Sequence, residues 1–110
     1  MSYGRLVGSV VEHFRTQAGF HQEAMAQALG ISQSAYSRLE LGHSAMSVTQ
    51  LRAIAEKLGT APDTLLQHAA EYAKRLRAQG VTVTDEKPDS AAGVLIALGI
   101  LAALFAAASS

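Results

Sequence analysis

Gln33, Ser34, Ser37 and Arg38 are hydrogen-bonding residues whose spacing puts them on one side of a helix drawn through QSAYSRLEL, residues 33–41. Arg carries a forked donor, the Gln amide pairs a donor with an acceptor, and serine hydroxyls both give and accept hydrogen bonds. Such groups suit base edges, whose donors and acceptors line a major groove that admits one α-helix. Ile31, Tyr36 and Leu39 fall on the opposite side, as core residues do. For a polar helical face taken alone, the ordinary explanation is simple solvation.

The neighbouring elements decide whether that face is more than a solvated one. QEAMAQAL (22–29) reads as a helix with Met25, Ala26 and Leu29 inward, closed by Gly30. Only Gly30, Ile31 and Ser32 separate it from the next helix, which Ser32 caps and Gly42 stops. Two short helices joined this tightly, the second with an exposed polar N-terminal half, have helix-turn-helix geometry. Upstream, Val7, Val10, Val11 and Phe14 predict a helix from about Leu6 to Ala18, ended by Gly19. Downstream, Ser47 and Gln50 form a capping box for a fourth helix carrying Val48, Leu51, Ile54, Ala55 and Leu58. Pro62 opens a fifth, running from Asp63 to Gln79, with Leu65 and Leu66 placed on the core. No alternating segment exceeds VTVT (81–84), so the expected fold is all-α.

Composition excludes several chemistries. With 110 residues the chain has room for one compact domain plus appendages. Nine Lys+Arg balance nine Asp+Glu, so net charge supplies no argument for nucleic acid and local arrangement must carry it. Without cysteine there are no disulfides or thiolate metal sites, which fits a reducing compartment. His13, His21, His43 and His68 lack metal-ligand spacing. No nucleophile elbow, phosphate loop or paired carboxylates are placed for catalysis. Neither an enzyme, nor a metal, nor a cofactor is expected, and MSYGRLVGSVVEHF shows no secretory signal.

GFHQEAMAQALGISQSAYSRLELG (19–42) and SVTQLRAIAEKLGTAPDTLL (47–66) together resemble the Cro/C1-type helix-turn-helix domain of phage repressors and bacterial regulators. The resemblance covers residues 6–67 and implies a compact five-helix, lambda-repressor-like domain over 1–70, its fifth helix extended to about 79. It implies a sequence-specific regulator of transcription, a repressor, that reads double-stranded DNA as a dimer with helix 33–41 in the major groove. Gln22 matches a phosphate-binding glutamine; Gln33, Ser34, Ser37 and Arg38 match base-contacting positions. Arg15 and Glu40 match a structural ion pair, and the loop at His43 and Ser44 matches a backbone-phosphate contact. His21, His43 and Ala45-Met46 depart from common residues of the family. Residues 1–60 hold only five Lys+Arg (Arg5, Arg15, Arg38, Arg52, Lys57) against four acids, so a monomer should bind phosphate weakly.

GVTVTDEKPDS (80–90) reads as a polar linker into AAGVLIALGILAALFAAA, residues 91–108, which carry no charge. At about 1.5 Å per residue this helix reaches about 27 Å, and Lys74, Arg75, Arg77 and Lys87 lie on the expected cytoplasmic side. The first expectation is therefore a membrane anchor on a cytoplasmic DNA-binding domain. The alternative is a fully soluble protein whose tail assembles a homodimer or higher oligomer, using Gly93/Ala97 and Gly99/Ala103 for close contact. Tyr72 to Leu76 offer a second dimer seam. Rival functions are an antitoxin-like DNA-binding partner of another protein and a membrane-bound scaffold without a DNA role.

Overall fold

The computed structural model describes residues 1–84 and 91–109. Its helices are α1 (Tyr3–Gln17), α2 (Gln22–Leu29), α3 (Gln33–Glu40), α4 (Val48–Leu58), α5 (Pro62–Ala78) and α6 (Ala91–Ser109). The fold is all-α, as the periodicities require.

Local chemistry sets most helix ends. Ser32 Oγ accepts from the Ala35 N–H, and Ser47 and Gln50 complete the reciprocal capping box. Gly30 closes α2 at φ 69°, a left-handed conformation that costs a side-chain-bearing residue strain. α1 starts three residues before the expected Leu6 because Ser2 caps it, its hydroxyl accepting from the Arg5 N–H. The apolar repeat that located α1 contains no information about that cap.

One core unites the helices. Leu6, Val10, Val11, Met25, Tyr36, Leu39, Ile54, Ala55 and Leu65 are buried at its centre. Leu66, expected beside Leu65, is 43% exposed. It follows Leu65 by about 100° around the helix and so turns off the buried stripe.

The first half of the expected linker is bound to the N-terminus. The Met1 amine donates to Thr82 O at 2.7 Å, Thr84 N–H to Met1 O at 3.1 Å, and Tyr3 N–H to Thr84 O at 2.7 Å. Val83 is buried, and Arg77 donates to its carbonyl. The rest of that linker, with Asp85, Glu86, Lys87 and Asp89, lies outside the described residues, as does the side-chain environment of residues 91–93, including Gly93.

Two expectations for the C-terminal half are corrected. Among the described residues no helix is long and apolar enough to cross a membrane. Instead α6 lies back on its own domain: Ala97 and Leu101 are buried, and Phe105 stacks on His13 at 4.3 Å and meets Tyr72 edge-on at 4.7 Å. One side of the apolar run thus finds its cover on α1 and α5, while Leu95 and Ile96 stay exposed. For the same reason the Tyr72–Leu76 stripe is no free dimer seam, since Tyr72, Ala73 and Leu76 are all buried within the chain.

Candidate nucleic-acid interface

α3 is short, and its two faces have opposite environments. Tyr36, Leu39 and Glu40 are buried, whereas Gln33, Ser34 and Arg38 are exposed and Ser37 is half-buried. Ser34 Oγ lies 3.3 Å from Ser32 Oγ at the helix start. Four groups able to pair with base edges therefore follow one another along a single outward ridge. His43 is exposed and Ser44 half-buried in the loop that follows. Their backbone N–H groups both donate to Arg38 O, at 2.9 and 3.3 Å, folding the loop against the end of α3.

The buried face of α3 is held by an ionic hub. Glu40, 1% exposed, accepts from Arg15 Nε at 2.7 Å and Arg15 Nη2 at 3.1 Å, the two-pronged geometry of a charge-assisted pair. Arg15 Nη1 also donates to Phe20 O, so one guanidinium joins α1, the α1–α2 loop and α3. Hydrogen bonding to Glu40 is the main influence raising the Arg15 pKa; burial opposes it. Beside this hub, burial first and the Glu40 carboxylate second push the Tyr36 phenol far above its ordinary range. The Tyr36 hydroxyl is buried with no hydrogen-bond partner among the described residues.

Gln22 is half-buried at the start of α2, and its Nε2 donates to Glu40 Oε1 at 3.0 Å. The residue matched to a phosphate contact is thus tied to the carboxylate that holds the recognition helix. Cations are distributed unevenly around it. Arg15 and Arg5 turn inward, Arg5 Nη1 donating to Glu40 O at 2.7 Å. Arg38, Arg52 and Lys57 are exposed, and the Lys57 ammonium lies 4.8 Å from the Phe20 ring centre. A charge count over residues 1–60 includes Arg5, whose inward turn only the structure shows. Gly8, in mid-helix where glycine is costly, was the available signal that another backbone comes close.

A helix-turn-helix family model matches residues 11–65, half of the chain, and takes in both α2 and α3. The chain belongs to the Cro/C1-type helix-turn-helix family. Like other helix-turn-helix regulators, it is a DNA-binding transcriptional regulator. Among solved structures it is similar to the clp gene regulator ClgR from Corynebacterium glutamicum, with a TM-score of 0.68 and 26% identity. That similarity covers 71% of this chain and 83% of the other. No curated protein sequence matches the chain.

Proposed function

We propose that this helix-turn-helix protein is a sequence-specific repressor that binds double-stranded DNA as a dimer, with residues 33–41 in the major groove. The observation that carries the reading is the polarity of α3: Gln33, Ser34 and Arg38 are exposed while Tyr36, Leu39 and Glu40 anchor the opposite face. In this reading Gln33, Ser34, Ser37 and Arg38 meet base edges. Gln22, His43 and Ser44 meet the sugar-phosphate backbone and fix the register.

The dimer follows from charge. With Arg5 and Arg15 turned inward, one domain offers few cations for counterion release, and two copies on a two-fold site double them. α6 supplies the surface we assign to that contact, because Leu95 and Ile96 remain 69% and 62% exposed after it has docked on its own domain. DNA recovered from a random library by the wild-type protein provides the test. Arg38→Ala should cost about 1–3 kcal/mol on the recovered duplex and less on random duplex. Gln22→Ala should weaken both, since a phosphate contact carries no direct sequence information, and the recovered duplex somewhat more, because the hydrogen bond to Glu40 is lost as well. Equal losses on both duplexes for Arg38→Ala would overturn the base-reading role.

A further inference from the structure

We propose that Arg5 is a positioning residue for DNA recognition: it acts from α1 on the last carbonyl of the recognition helix and touches no nucleic acid. This role rests on the reading of α3 as the base-reading helix. Glu40 is the final residue of α3, so its carbonyl is among those left without an intrahelical partner. Arg5 Nη1 donates to that oxygen at 2.7 Å, placing a fixed positive charge at the negative end of the helix dipole.

Two glycines make the approach possible. A Cβ on Gly8 would lie 2.0 Å from Glu40 O and 2.6 Å from its carbonyl carbon, so α1 and the end of α3 touch backbone to backbone. A Cβ on Gly42 would meet Arg5 Cα and N at 2.7 Å, and Gly42 also has φ +73°, a conformation that side-chain-bearing residues adopt only with strain. Arg5 is itself fixed at the first turn of α1, where its N–H donates to the Ser2 hydroxyl and its carbonyl accepts from Ser9 Oγ.

The consequence concerns aim. The N-terminal half of α3 is joined to α2 by a three-residue turn, whereas its C-terminal end is gripped at two chemically separate points. Arg15 and Gln22 hold the Glu40 carboxylate, and Arg5 holds the Glu40 carbonyl. Burial of Tyr36 and Leu39 seats the helix on the core, and a single pin at its end would still let it rock on that apolar contact. The second point removes that freedom and sets the angle at which Gln33, Ser34, Ser37 and Arg38 meet base edges.

The experiment compares full-length wild type, Arg5→Gln and Arg5→Met on the library-recovered duplex and on random duplex, over a salt series. Arg5→Gln keeps a donor on a shorter, uncharged side chain; Arg5→Met keeps an unbranched apolar stem and removes the donor. Arg5→Met should lower the preference for the recovered duplex roughly tenfold, a loss comparable to one good base contact. Arg5→Gln should recover part of that preference, and neither variant should change the salt dependence on random duplex. A slope reduced by about one would place Arg5 on a phosphate and overturn the proposal. So would a lowered melting temperature with the preference intact, which is the signature of a purely structural residue. If Arg5→Met does not fold, the proposal stands or falls on Arg5→Gln: preference reduced at unchanged salt slope supports it, and unchanged preference overturns it. Wild-type protein with no preference for any duplex would instead sink the base-reading function itself, and this role with it.

Discussion

At the scale of the residue, Glu40 decides how the recognition helix is seated. A carboxylate 1% exposed is costly unless it is paired, and Arg15 and Gln22 supply three hydrogen bonds to its two oxygens. Removing one partner leaves the other charge uncompensated. Arg15→Ala and Glu40→Ala should each cost on the order of 3 kcal/mol in urea unfolding. The double variant should lose clearly less than the two single losses added together, giving a measurable coupling energy. Strict additivity would show that the pair does not contribute as a pair.

At the scale of the element, α6 is the instructive case. It has no charged residue, yet it meets α1 and α5 through a ring cluster in which His13 stacks on Phe105, and Phe14 and Tyr72 lie around His68. Burial first, and the neighbouring His68 second, lower the His13 pKa. α6 brings no titratable group to this cluster; from α5 the facing titratable groups are His68 and Tyr72. A histidine whose pKa is depressed on folding binds its proton more readily in the unfolded chain. Its contribution to stability is therefore present above the unfolded value of about 6.5 and is lost as pH falls through the folded value. The melting temperature should decline on acidification from about pH 7.5 to about pH 5.5, and His13→Phe should flatten that decline. An unchanged slope in the variant would mean that His13 is not the group responsible.

At the scale of the whole molecule, balanced charge and an apolar C-terminal helix point the same way. Nine basic and nine acidic residues leave no general attraction to DNA, and the inward turn of Arg5 and Arg15 removes two cations from the available set. Avidity can supply what a single domain lacks. Sedimentation at about 10 μM, well above the concentrations of tight specific complexes, should therefore find a dimer. Ile96→Asp should shift it to monomer and weaken DNA binding roughly a hundredfold. Unaltered mass and affinity in that variant would remove α6 from the dimer contact.

The sequence by itself determined the elements and the ridge. Ser32, Ser47 with Gln50, and Gly30 act on backbone groups a few residues away, so α2, α3 and α4 and the polarity of α3 were legible without tertiary information. The resemblance to a known family supplied the matching of Arg15 with Glu40, which lie 25 positions apart and meet at 2.7 Å. Tertiary structure decided what depended on which apolar surfaces and backbones meet. An alanine-rich helix has no polar face to orient it, so periodicity could not show that α6 would cover Tyr72 and stack Phe105 on His13. Nor could composition show that Arg5 spends its charge on a carbonyl 35 positions away. That required two glycines, at positions 8 and 42, to bring α1 against the end of α3.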